Sequence, residues 1–249
     1  MGAGRMWHRL LSGALLAAGL CNPWLQPAAG EVRAAGLDEV KIYTDDDPPY
    51  VMVAADGAVA GGTTVEKVTR VMRKVGLPFS ALQAVPWARA YQEAKTRPYA
   101  MVFPIAKTRE RLKYLDFTFK IIDAEVYFYW RRSRADIQLA SLDDAKKYSV
   151  CVVRNDYRQE YLESEGFLKL DTAGDTTENV RKFLGGRCDL IVSTETGMLS
   201  KLKALGAERA QLARGMKLDK LDSALYAAFN KNTPPEVIAR FKAAAAEVE

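Results

Sequence analysis

Histidine is all but absent: the 249 residues hold one, His8. It falls in an N-terminal stretch with the marks of a secretory signal. Arg5 and Arg9 give a short basic start, and Leu10 to Leu20 an apolar run. Ala28, Ala29 and Gly30 then supply small residues that fit cleavage after Gly30. The apolar run is shorter than the roughly 20 residues a membrane-crossing helix needs. Cys21 would suit lipid attachment, but Leu20 before it is bulkier than such processing usually tolerates. A free, soluble protein in the periplasm is therefore the expectation, with residues 1–30 removed. What remains has no imidazole, which excludes a Ser-His-Asp triad, a Cys-His pair and a histidine metal site. No metal and no cofactor are expected.

An excess of either charge is also missing. Thirty-six lysines and arginines stand against 31 acids, a formal +5. Residues 1–30 contribute two arginines and no acid, leaving +3 on the remainder. The basic residues are spread along the chain rather than clustered, so nucleic-acid binding has little support. Cysteine is scarce too: beyond Cys21 there are Cys151 and Cys188, each in or beside an apolar segment that reads as a core strand. They could pair in an oxidising compartment, but two buried, unpaired thiols are the favoured expectation. Internal repeats and low-complexity tracts are absent.

What is present is alternation. Val40 to Tyr43 reads as a strand. Val65, Val68, Met72 and Val75 then recur at helical spacing within Thr64 to Val75, and Gly76 stops that helix. Phe79 to Val85 reads as a strand, Trp87 to Lys95 as a helix, Tyr99 to Phe103 as a strand, and Glu125 to Arg132 as an aromatic extended segment. Ser141 with Asp144 is a capping-box pattern opening a short helix. Strands follow at Ser149 to Val153 and Asp189 to Val192, with helices at Gln159 to Glu165, Thr177 to Leu184 and Thr196 to Leu205. Ser223 to Phe229 is extended. Thr233, Pro234 and Glu236 read as the cap, first-turn proline and capping-box acid of a last helix.

Such alternation implies α/β architecture with parallel sheets covered on both faces, and ligands bound beyond the carboxyl ends of the strands. Four strands deliver polar loops at those ends. Asp45 to Tyr50 follows the first, Pro104 to Arg111 the third, Arg154 to Arg158 a strand of the second half, and Ser193 to Thr196 another. Two come from each half, so facing lobes would bring them together around a polar cleft. Asp45 and Asp46 themselves read as a solvated turn before two prolines.

The loops also carry a resemblance. Asp47-Pro48-Pro49-Tyr50, Gly57 and Gly62, Pro86-Trp87-Ala88-Arg89-Ala90-Tyr91 and Lys107-Thr108-Arg109-Glu110-Arg111 stand in order in the first half. Arg154 to Leu162 and Gly186 to Val192 stand in the second. Together they resemble family 3 of the bacterial extracellular solute-binding proteins, the periplasmic receptors of polar amino-acid ABC transporters. The resemblance runs from about Val40 to Ala246. It implies a type II periplasmic-binding-protein fold of two lobes, residues 37–123 with 230–249 and residues 124–229 with hinge strands. The crossovers would lie near Glu125 to Trp130 and Tyr226 to Asn230.

Carried over by position, Arg111 falls on the arginine that holds a ligand's α-carboxylate, and a planar guanidinium suits that task. Tyr50 and Trp87 fall where aromatic walls cover the ligand, with Arg89, Lys107, Arg154 and Arg158 as further cations. The family's hydroxyl positions are here Phe103-Pro104 and Ala106. Its small carboxylate-wrapping loop becomes Asn155-Asp156-Tyr157, and its ammonium-binding aspartate becomes Thr194 with Glu195 beside it. The expected function is a monomeric periplasmic receptor that closes on a small, carboxylate-bearing ligand for an ABC-transporter permease. The alternatives are a sensory ligand-binding module and a periplasmic enzyme resembling cyclohexadienyl dehydratase, with Glu195 as acid and Arg111 as clamp.

Overall fold

The computed structural model describes residues 36–248; the expected signal segment lies outside them. Twelve strands and seven helices alternate within that span. The first half holds β1 (Lys41–Thr44), the hairpin β2 (Met52–Val53) and β3 (Val59–Gly61), α1 (Thr63–Val75), β4 (Leu82–Ala84), α2 (Trp87–Thr96), β5 (Ala100–Ala106) and β6 (Leu115–Ile122). Next come β7 (Val126–Arg131), α3 (Leu142–Ala145), β8 (Val150–Val153), α4 (Tyr157–Ser164), β9 (Leu170–Ala173) and α5 (Thr176–Leu184). The chain then forms β10 (Leu190–Thr194), α6 (Glu195–Ala204), β11 (Leu212–Lys217), β12 (Leu225–Asn230) and α7 (Pro235–Ala246).

The strands build two five-stranded sheets, ordered β4-β1-β5-β12-β6 and β11-β7-β10-β8-β9. Neither is wholly parallel, contrary to the expectation from alternation alone. β1 runs parallel to β4 and β5, and β8 to β9 and β10. β12, by contrast, lies antiparallel to both β5 and β6, and β7 antiparallel to β10 and β11. The reason is connectivity: β7 and β12 are the strands entered directly from the other sheet, so each arrives in the opposite sense. Of the residues expected as crossovers, 126–130 and 226–230 belong to these two strands. The chain passes between the sheets at 123–125 and 218–224.

Each sheet is covered on both faces. In the first, the α1 stripe Val65, Val68, Met72 and Val75 packs with Phe241 and Ala244 of α7 in one cluster, and Ala90 and Ala94 of α2 lie against Val102 and Ile105 in another. In the second, Leu162 joins Phe128 and Val152, while Val180, Phe183 and Met198 pack on Tyr129 and Ile191 from the other side. The buried thiols of that second cluster are paired: Cys151 and Cys188 form a disulfide with a Cα–Cα distance of 5.6 Å. The favoured expectation of free thiols is thereby corrected. β8 and β10 are parallel neighbours with Ile191 opposite Cys151, which brings Cys188 within bonding reach.

Caps hold the helices as the sequence suggests, with one correction. Ser141 and Asp144 form the expected capping box on α3. Pro234, not Thr233, is the cap of α7; the Thr233 hydroxyl instead accepts from the Tyr99 N–H at 3.0 Å.

Candidate functional site

The carboxyl ends of β1, β5, β8 and β10 converge on one small cavity of about 60 Å³ between the two sheets. Tyr50 forms part of its wall. The Tyr50 carbonyl accepts from the N–H and the hydroxyl of Thr64 at the start of α1, at 3.1 and 2.7 Å. Gly62 precedes that helix at φ +132°, and a Cβ there would collide with the same carbonyl, so only glycine lets the loop seat so closely. The Tyr50 hydroxyl lies 2.6 Å from Thr194 Oγ1 at the end of β10. Burial pushes the Tyr50 hydroxyl's pKa up.

Arg111 is fully buried, and its fork is shared out within the chain. Nε donates to Glu160 Oε1 at 3.1 Å, Nη1 to the Ala106 carbonyl at 3.1 Å and Nη2 to the Asn155 carbonyl at 2.9 Å. Nη2 also stands 3.0 Å from Glu160 Oε1. The guanidinium sits 5.4 Å from the Trp87 ring and 5.3 Å from the Tyr91 ring, and those two rings stack at an 8° tilt. Trp87 Nε1 donates to the same Asn155 carbonyl at 3.1 Å, and the Thr108 hydroxyl donates to Glu160 Oε2 at 2.8 Å. Glu160 and Asn155 lie in the half of the chain that carries the second sheet, so these bonds tie one half to the other.

Asp156 and Arg158 form a second fixed pair. Asp156 caps α4 by accepting from the Arg158 N–H at 2.8 Å, and takes Nε and Nη2 of Arg158 at 2.6 and 2.9 Å. Burial works to raise the Asp156 carboxyl, yet the Arg158 charge and hydrogen bonds hold it below the usual range. A third pair joins Asp47 to the buried Lys201 of α6; Lys201 also donates to the Pro48 carbonyl at 2.6 Å, and Thr176 of α5 donates to Asp47 at 3.0 Å.

Asp45, expected in a solvated turn, lines this cavity. Its carboxyl is pushed up from an ordinary 3.8 to about 8, first by burial and then by neighbouring Asp47, with Lys201 opposing. The folded chain therefore keeps a proton that the unfolded chain releases near pH 4, and stability falls as pH rises from about 4 to about 8. Asp45→Asn is expected to flatten that part of a urea-midpoint profile against pH. Equal slopes in the two proteins would contradict the assignment.

Of the residues singled out from sequence, Tyr50, Trp87, Arg111, Asp156 and Arg158 line this cavity. Arg89 does not: its side chain is 69% exposed beside Glu93. Lys107 lies over the Phe117 and Tyr226 rings, at 5.5 and 4.7 Å. Arg154 is exposed. Glu195 borders a separate space of about 240 Å³ beside the crossing residues 122–125. There the Arg209 side chain at 2.8 Å, followed by Tyr129 at 2.7 Å, keeps its carboxyl below the usual range against the effect of burial. Asp47, Lys201, Thr176 and Asn179 are cavity residues the sequence reading missed. The available signal was Lys201 at a core-facing position of α6, spaced with the buried Gly197, Met198 and Leu202.

Two covered sheets, joined by two crossings and closed over a charged cleft, define the class of two-lobed periplasmic-binding-protein folds. Residues 40–245 match the model of bacterial extracellular solute-binding proteins, family 3, and the chain belongs to that family. Solved structures share the fold. A histidine kinase sensor domain with similarity to periplasmic binding proteins aligns with a TM-score of 0.69 and 20% identity over 84% of this chain and 90% of its own. The arginine-, lysine-, histidine-binding protein ArtJ of Geobacillus stearothermophilus gives 0.70 and 19% over 84% and 89%. An ancestral arginine-binding protein bound to arginine gives 0.68 and 18% over 84% and 91%. No curated protein matches the sequence.

Proposed function

We propose that this chain is a periplasmic solute-binding protein, exported through a signal in residues 1–30, that works as a monomer and delivers a small polar ligand to the permease of an ABC transporter. The observation that carries the reading is the charged cavity at the meeting point of four strand ends, bridged by residues from both halves. Family membership and the fold shared with the arginine-binding neighbours support it. Tyr50 and Trp87 are its walls, and Asp156 with Arg158 its fixed polar floor. Closing such a cleft strengthens its ion pairs by excluding water, and ligand drives closure only by contacting both lobes.

The carboxylate expected on Arg111 has a counterpart within the chain, the side chain of Glu160. A dehydratase-like acid at Glu195 has less support, because a carboxyl held ionised by two arginines is a poor proton donor near neutral pH. A sensory role remains a second reading, favoured by the likeness to the histidine kinase sensor domain. Neighbouring genes for a permease and an ATPase would select transport over it.

The test is a thermal-shift screen of the purified domain against amino acids, amines, dicarboxylates and aromatic acids. A cognate solute at about 100 times its Kd is expected to stabilise the protein by about 2.7 kcal/mol. A domain that no solute shifts would refute the reading.

A further inference from the structure

With every carboxyl group ionised the charges that line the cleft do not balance, and without a ligand the excess is relieved by the proton that Asp45 keeps. Arg111 is held by Glu160, Arg158 by Asp156 and Lys201 by Asp47. Every cation facing the cavity thus has a carboxylate of the chain as its partner. Asp45 is the carboxylate left over: among the described residues it is in no ion pair, and Lys201, the cation acting on it, is bound to Asp47. An independent observation points the same way. Asn179 of α5 lines the same cavity with only 5% of its surface exposed, and its amide oxygen has no hydrogen-bond partner. A buried acceptor left without a donor costs about 1–3 kcal/mol, so such a group marks a place where a donor belongs. Asn179 is three residues along α5 from Thr176, which donates to Asp47, so the acceptor stands on the helix that reaches the Asp45–Asp47 loop.

The cleft therefore lacks hydrogen-bond donors and positive charge, and it does not lack a carboxylate. Three of the five N–H donors of Arg111 are already bonded to Glu160, Asn155 and Ala106, a second nitrogen stands against Glu160, and Glu160 is itself fixed by Thr108. We propose that the cleft selects a small organic amine without need of a carboxylate, its ammonium held by Asp45 and the Asn179 amide oxygen, while Glu160 keeps Arg111 for closure. This specificity rests on the solute-binding reading above. Glu160 then determines selectivity from outside the ligand's own contacts: it fills the seat that a ligand carboxylate would take.

The experiment is calorimetry of the intact domain with two matched pairs, L-lysine against cadaverine and L-arginine against agmatine, which differ by the carboxylate. In the wild type each amine is expected to bind at least tenfold more tightly than its amino acid. Asp45→Asn should weaken amine binding at least tenfold, and Asn179→Asp, which adds a charge at the same place, should strengthen it. Glu160→Gln should narrow the preference at least threefold, raising affinity for the amino acids relative to that for the amines. Amino acids binding more tightly than the amines to the wild type would overturn the inference and leave solute binding intact. So would an unchanged amine affinity in Asp45→Asn. Silence of all four probes alongside a shift by another solute in the broad screen would also overturn the amine assignment alone, whereas silence throughout that screen removes the solute-binding reading itself.

Discussion

Arg111→Ala is expected to destabilise the domain by about 3 kcal/mol or more in urea unfolding, the low end of what removing one partner of a buried ion pair costs. The guanidinium has no exposed surface. Its loss leaves the Ala106 and Asn155 carbonyls without those donors, opens a gap beside the stacked Trp87 and Tyr91 rings, and strips Glu160 of its counter-charge. Glu160 moderates the effect, since its side chain is 23% exposed and can take up water. Glu160→Gln keeps an oxygen for Nε to reach and should cost less, about 1–2 kcal/mol. A change below 1 kcal/mol in Arg111→Ala would mean that the guanidinium is hydrated in solution and that the two halves stand apart there.

Replacing both Cys151 and Cys188 by alanine is expected to cost about 3–4 kcal/mol. The bridge closes a loop with a sequence separation of 37, and in the chain-entropy account a loop of that size restricts the unfolded ensemble by about 4 kcal/mol. Both residues are at most 1% exposed, so reductant should act on the unfolded chain far faster than on the folded one. The measurement is the urea midpoint with and without dithiothreitol, against the double variant. Identical midpoints in all three would show that the bond does not form. A bridge of this kind also fits the oxidising compartment to which residues 1–30 would direct the chain.

Local signals made much of the architecture legible. α1 is written in its valine and methionine stripe and the glycine that ends it at φ +86°, and α3 in its capping box. β6 carries alternation too, Leu115, Phe117, Phe119 and Ile121 against Asp116, Thr118 and Lys120, although the sequence reading assigns no strand there. β9 and β11 carry little, because they are sheet edges that mix polar and small residues at half-buried positions. The antiparallel placement of β7 and β12, and the closeness of Cys151 to Cys188, follow from the order of strands across a sheet. No periodicity encodes that order. The cleft divides along the same line. Tyr50, Arg111, Asp156 and Arg158 stand in strand-end loops or in the helix turn that follows, where an edge rule finds them, while Trp87 at the start of α2 is indicated by the resemblance alone. Lys201 and Asn179 sit inside helices otherwise read as core-facing, and their neighbours across the cleft decide their roles.

The Asn155 carbonyl, which takes donors from both Arg111 and Trp87, has a consequence for how such a protein can diverge. A main-chain oxygen has no codon of its own. Its position depends on the left-handed turn at Asn155, φ +59°, which glycine would also adopt and a β-branched residue would resist. Side chains around the cavity other than Arg111 and Trp87 can therefore drift toward a new solute while the grip between the halves persists, provided that those two donors, Glu160 and that one backbone angle are kept. On the acceptor side, selection for closure acts on an atom that selection for a different cargo does not rewrite.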